Sequence, residues 1–174
     1  MTHSAMKRSL HLAHRHPKAP LEQELMPGDV ALARRGERLK TLLGSCVAVI
    51  LTDPHRTVGA MCHIVHSSRP NSANLHNTAF GSCAMDDMFH RLRRAGLAPT
   101  MCQAYAFGGG DMFPHLGLQQ TVGERNARWV TDFLAQHNIE LLAHSLGGTS
   151  YRKLAWTVGP EEPELVLTPV EMEL

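Results

Sequence analysis

Leu43-Gly44-Ser45-Cys46-Val47-Ala48-Val49-Ile50-Leu51 is the stretch on which the reading of this chain turns. Val47 to Leu51 is apolar at every position, the pattern of a central strand covered on both faces. A Gly-Ser turn ahead of that strand delivers a cysteine at its start. The next apolar run, Gly59-Ala60-Met61-Cys62-His63-Ile64, carries a histidine. A thiolate–imidazole pair attacks carbonyl carbon, so Cys46 is a candidate nucleophile and His63 its candidate base.

Asp53-Pro54-His55-Arg56 reads as a turn between the two runs, which makes them a hairpin. In that hairpin Cys46 faces the residue at about 63 or 64, and cross-strand partners lie about 5 Å apart at Cβ. The Gly44-Ser45 turn also offers main-chain N–H groups around the sulfur as candidate oxyanion donors. The competing reading is a free cysteine buried in a packed strand, the commonest state of that residue. The residues by themselves leave the two in balance. A zinc site in Cys62-His63-Ile64-Val65-His66 is disfavoured by strand geometry. Cys62 and His66 point to one face about 13 Å apart while His63 points to the other, so the three cannot converge on one ion. No HExxH or CxxC spacing occurs elsewhere, and no GxSxG marks a serine nucleophile.

Outward from this hairpin, Val30 to Ala33 reads as a first strand after Pro27-Gly28-Asp29, and Leu39 to Leu43 as a second. Phe80, Ala84, Met88, Leu92 and Ala95 recur at helical spacing, predicting a helix from Leu75 to Ala95 that Gly96 ends. Met101 to Phe107 is a strand running into Gly108-Gly109-Gly110. A second helix covers Gly123 to His137, with Ala127, Val130, Phe133 and Leu134 inward. Ile139 to Ala143 is a strand closed by Gly147-Gly148, and Leu154 to Val158 with Leu165 to Val170 forms a last hairpin. Two helices among about seven strands make a layered α/β sandwich. The glycine clusters read as tight turns at strand ends, and Gly123-Glu124-Arg125-Asn126 as the structural opening of the second helix.

The chain has 174 residues and a formal net charge of +1. That length suits one domain with a tail, and the charge leaves no surplus of cations for nucleic-acid phosphates. No stretch approaches the roughly eighteen apolar residues that cross a bilayer, so no membrane insertion is expected. Residues 1–25, with His3, His11, His14 and His16, read as a disordered or weakly ordered tail without the apolar centre of a secretory signal. The folded domain is expected over 26–174. Cys46, Cys62, Cys83 and Cys102 are spread through apolar segments, which fits reduced thiols in a cytosol.

Taken in order, Leu43-Gly44-Ser45-Cys46-Val47-Ala48-Val49, Asp53-Pro54, Gly59-Ala60-Met61-Cys62-His63, Phe107-Gly108-Gly109-Gly110-Asp111-Met112-Phe113, Gly123-Glu124-Arg125-Asn126 and Gly147-Gly148 resemble CheD, the chemoreceptor glutamine deamidase family. The resemblance covers about residues 26 to 170, and it lies in the co-occurrence of blocks that are individually weak. It implies a cytoplasmic three-layer α/β/β sandwich with mostly antiparallel sheets, similar to the catalytic domain of the cytotoxic necrotizing factors. It also implies conversion of glutamine side chains on methyl-accepting chemotaxis receptors to glutamate, without a metal or other cofactor. In some members the same protein binds the phosphatase CheC.

Carried onto this chain, the resemblance makes Cys46 the nucleophile and His63 the general base. The family commonly has a threonine six residues before the cysteine. That position is Lys40 here, with Thr41 one nearer. A one-residue step flips a strand side chain to the other face, so Thr41 becomes the third catalytic residue only through a backbone bulge. Otherwise a backbone carbonyl orients His63. Gly44 and Ser45 would supply oxyanion contacts, and Asp111 and Phe113 would touch substrate. Two alternatives stay open: a regulatory binding protein of the chemotaxis pathway with weak or no catalysis, and transfer of an amine to the thioester in place of water.

Overall fold

The apolar run that opens the sequence reading is the middle of the molecule. A computed structural model describes residues 21–171. Its strands in chain order are β1 (Glu22–Leu25), β2 (Val30–Arg34), β3 (Arg38–Leu43), β4 (Val47–Thr52), β5 (Val58–Ile64), β6 (Gln103–Gly108), β7 (Glu140–Leu146), β8 (Ser150–Thr157) and β9 (Glu164–Pro169). The helices are α1 (Gly81–Arg94) and α2 (Val122–Gln136). One sheet has the order β2-β5-β4-β6-β7 and the other β1-β3-β8-β9. The β1–β3 and β6–β7 pairs are parallel and the rest antiparallel.

Strand parity explains the layering. In β4, Val47, Val49 and Leu51 face one core with Ala60, Cys62 and Ile64 of β5, and the helices cover it through Met85, Met88, Leu92, Val130 and Leu134. The alternate residues Ala48, Ile50 and Met61 face a second core, shared with Leu39, Leu43, Leu154 and Trp156 of the four-stranded sheet. Both helices therefore lie on one face of the five-stranded sheet and the second sheet on the other, which is the three-layer α/β/β order. β4 is completely buried because each of its faces serves as the floor of a core.

The structure departs from the sequence reading in several places. β1 lies inside the segment assigned to the tail. Its alternation is too short to register as a pattern, and it is held by parallel pairing to β3. The histidines of the tail fall outside the described residues. α1 begins at Gly81, not Leu75, because Asn77 Oδ1 accepts from the Ala79 N–H and folds residues 74–80 into turns. Phe80, counted as helical, is the residue that caps α1. Cys62 and His63 do face opposite cores.

The two sheets approach closely where β5 carries Gly59. A Cβ there would collide with the ring of buried Trp156. Gly59→Ala should therefore destabilise the protein by about 1–3 kcal/mol through overpacking. Urea unfolding with an unchanged m-value measures it, and a variant as stable as the parent would show that the sheets have slack at this point.

Candidate active site

Thr41 and His63 meet in the layer between the two sheets, and Cys46 packs on the same layer at the end where β4 begins, with no hydrogen bond between its Sγ and the His63 ring. β3 runs without a bulge, so Leu39, Thr41 and Leu43 point inward and Lys40 points out, where it pairs with Glu22. The bulge that the sequence reading required is absent. The inward parity of β3 already belongs to Thr41, and no side chain need be flipped.

Thr41 is 4% and His63 2% exposed, so any hydrogen bond between them works in a medium of low dielectric. Thr41 Oγ1 lies 2.8 Å from His63 Nδ1 and 2.8 Å from the carbonyl oxygen of Leu25. A threonine hydroxyl has one proton, and a carbonyl can only accept. The proton therefore goes to Leu25, and the Thr41 oxygen accepts from Nδ1–H. That sets the tautomer and leaves Nε2 as the basic nitrogen of the ring. The main chain of His63 is pinned as well: its N–H donates to Asp29 O at 3.0 Å and its carbonyl accepts from Gly28 N–H at 2.9 Å.

Cys46 stands one residue ahead of β4, half-buried, packed on the same inter-sheet core. The register is Ala48 opposite His63 and Val47 opposite Ile64, so Cys46 lies one step past the last pair. The hairpin pattern alone puts it level with residue 63 or 64. The slip changes nothing in the facing: Cys46, Ala48 and His63 share the inter-sheet side. Burial pushes the Cys46 thiol above its ordinary value of 9.0. Burial also holds His63 below its ordinary 6.5, against the opposing pull of the Asp29 charge. Both shifts favour the neutral thiol and neutral imidazole at rest. A base in this state can take a proton from the thiol as the sulfur attacks.

The turn that carries Cys46 is tied by all three of its carbonyls. Gly109 N–H donates to Cys46 O at 2.9 Å and Gly110 N–H to Gly44 O at 3.0 Å. Asn126 Nδ2 donates to Ser45 O at 3.0 Å and to Val65 O at 3.1 Å. Gly108 has a φ of 110°, and a Cβ on it would strike Cys46 O, so this close approach requires glycine. The glycine run is thus the bracket of the candidate nucleophile as well as a turn. Sequence reasoning missed that role and the role of Asn126.

Arg152 is another residue that the sequence reading passed over. It is 3% exposed on the inward face of β8. It donates from Nη2 to Gly147 O at 2.6 Å and from Nε to Ser145 Oγ at 3.2 Å, holding the Gly147-Gly148 turn. Gly148 O in turn accepts from the Asp111 N–H at 2.8 Å.

Asp111 and Phe113 line a small, mostly apolar pocket with Ser45, Met112, Leu118 and Val122. The Asp111 carboxylate accepts from the Phe113 N–H at 2.9 Å, so it shapes its own loop. Phe113 stands 60% exposed at the rim, beside exposed Leu116, Leu118 and Val122. Gly44 and Ser45 are half-buried beneath this rim. Glu124 completes a capping box with Thr121 at the start of α2, the role its position suggested. Among the described residues no group of three or more His, Cys, Asp or Glu side chains is placed to hold a metal, and no helix is long and apolar enough to cross a membrane.

A buried histidine with one ring nitrogen held by Thr41, on the same inter-sheet layer as a half-buried cysteine on a tied turn, is an arrangement that can serve thiol-dependent acyl transfer. Over residues 65–162 the chain matches the family model described as CheD chemotactic sensory transduction. The chain belongs to the CheD family. It is 34% identical over 146 residues to the probable chemoreceptor glutamine deamidase CheD 2 of Albidiferax ferrireducens, covering 81% of this chain and 84% of that protein. It is 36% identical over 137 residues to the probable chemoreceptor glutamine deamidase CheD 3 of Dechloromonas aromatica, covering 77% and 80%. The crystal structure of the Bacillus licheniformis hypothetical protein YfiH aligns with a TM-score of 0.39 at 16% identity, over 76% of this chain and 61% of that one.

Thr41→Val keeps the shape of the side chain and removes the partner that His63 Nδ1 has among the described residues. The unpaired buried donor should cost about 1–3 kcal/mol of stability. Nitrogen NMR of the ring should show the single Nδ1–H tautomer of the parent replaced by a mixture. A variant that keeps one tautomer would mean that Thr41 does not orient the ring.

Proposed function

We propose that this protein hydrolyses the side-chain amide of selected glutamines on methyl-accepting chemotaxis receptors, giving glutamate and ammonia, in the cytoplasm. The observation that carries the proposal is the bonded series Leu25 O, Thr41 Oγ1, His63 Nδ1 beside half-buried Cys46. Family membership and the names of the relatives support the substrate class.

Nε2 of His63 takes the thiol proton as Cys46 Sγ adds to the amide carbon. Thr41 holds the resulting imidazolium by accepting from Nδ1–H. Main-chain N–H groups of the Gly44–Cys46 turn receive the oxyanion. Imidazolium returns the proton to the leaving nitrogen, ammonia departs, and a thioester remains. The same ring then takes a proton from water as its oxygen attacks the thioester, and Cys46 leaves as the thiol. Phe113 and the apolar residues around it form the surface on which a protein substrate rests. The fold expected from the resemblance, that of the cytotoxic necrotizing factor catalytic domain, belongs to the same proposal, as does a CheC-type phosphatase as second partner.

Receptor co-expressed with the wild-type chain should gain acidic residues at glutamine positions by peptide mass analysis, and Cys46→Ala should leave them as amides. Conversion by Cys46→Ala at the parental rate would sink the enzyme reading and leave the regulatory one. Incorporation of a labelled amine in place of water would identify the transferase alternative.

The pH dependence has a definite sign. Protonated His63 cannot accept the thiol proton, and burial disfavours that protonated form. Activity should therefore persist below the ordinary imidazole value of 6.5 and fall only as pH drops through the lowered one. A kcat/KM profile with its acid midpoint at or above 6.5 would contradict a buried neutral base.

A further inference from the structure

We propose that Asn126 is a positioning residue that aims the main-chain N–H of Cys46 at the oxygen of the attacked carbonyl, an inference that rests on the deamidase reading. Asn126 lies on the inward face of α2 and is 1% exposed, a place where the neighbouring inward residues Val130 and Leu134 are apolar. A buried amide is costly unless bonded. Both of its hydrogens are used, one on Ser45 O and one on Val65 O. Ser45 precedes the nucleophile, and Val65 follows the strand that carries His63. One side chain from the helical layer thus sets the spacing between the two reacting residues.

The consequence for the oxyanion follows from peptide geometry. No peptide bond among the described residues is cis, so Ser45 C=O and Cys46 N–H lie in one trans plane and point in opposite directions. Asn126 draws the carbonyl toward the helices. The N–H is thereby turned toward the inter-sheet side, where the Cys46 side chain packs. With Gly44 O and Cys46 O held by Gly110 and Gly109, the turn cannot rotate to release that N–H. Among the described residues, no acceptor engages the N–H groups of Gly44, Ser45 or Cys46. The carbonyls of this turn are committed and its donors are free.

Asn126→Leu keeps the bulk and removes the donors, whereas Asn126→Asp keeps the shape and places an acceptor against two carbonyls. Each should lower kcat for receptor deamidation by about tenfold or more, toward the 10²–10³ of a lost oxyanion donor, with KM changed by less than about twofold. Alkylation of Cys46 by iodoacetamide develops no oxyanion, so its rate in Asn126→Leu, which adds no charge, should match the parent at every pH. A purely structural residue would move alkylation and kcat together. The inference is overturned if a folded variant keeps its kcat, if alkylation of Asn126→Leu slows in parallel, or if both variants fail to fold. Should the parent convert no receptor glutamine, the deamidase reading fails. Cys46-dependent hydrolysis of p-nitrophenyl acetate, which passes through the same oxyanion, then decides whether the Asn126 variants are impaired.

Discussion

The hydrogen bond between Thr41 and His63 spans the gap between two sheets that share no strand pairing, and its length is set by how those sheets pack. Trp156 seated over Gly59 and the apolar side chains of β3, β4, β5 and β8 hold the sheets at a fixed spacing. A bond of 2.8 Å between a buried hydroxyl and a buried ring tolerates little change in that spacing, since such interactions weaken steeply with distance and angle. The core of the sandwich and the candidate base are therefore one construction. Packing at one end of the inter-sheet layer fixes the orientation of a ring at the other.

Leu25 extends this dependence to the edge of the fold. β1 contributes little to the core beyond one leucine, yet its terminal carbonyl takes the single hydroxyl proton of Thr41. Without that acceptor the hydroxyl could donate to Nδ1 instead and place the proton of the ring on Nε2, the wrong nitrogen for a base. A short edge strand thereby decides a tautomer.

The glycine loop after β6, helix α2 and strand β8 act on the same site from other directions. The Gly108–Gly110 bracket and Asn126 hold the carbonyls of the Cys46 turn, while the Arg152 guanidinium holds the Gly147-Gly148 turn next to Asp111. Fixed dipoles arranged before substrate arrives need no reorganisation during reaction.

Local pattern alone determined a good deal. The unbroken apolar run of β4 announced a central strand, the periodicity of α1 and α2 announced two helices with apolar inward faces, and the hairpin set Cys46 and His63 on neighbouring strands. These follow from residues close together in sequence, where period and turn chemistry act directly. Tertiary structure decided what the pattern could not reach. The inward facing of Thr41 depends on the phase of β3 within a second sheet, a property that a one-residue offset from the family spacing disguised. Leu25, Asn126 and Arg152 looked ordinary because each role runs through a main-chain carbonyl: Leu25 offers its own to Thr41, and Asn126 and Arg152 donate to those of neighbouring turns. A main-chain acceptor has no side-chain signature. The sequence by itself named a candidate nucleophile and a candidate base, and only the packing of three layers decided which atoms hold them in place.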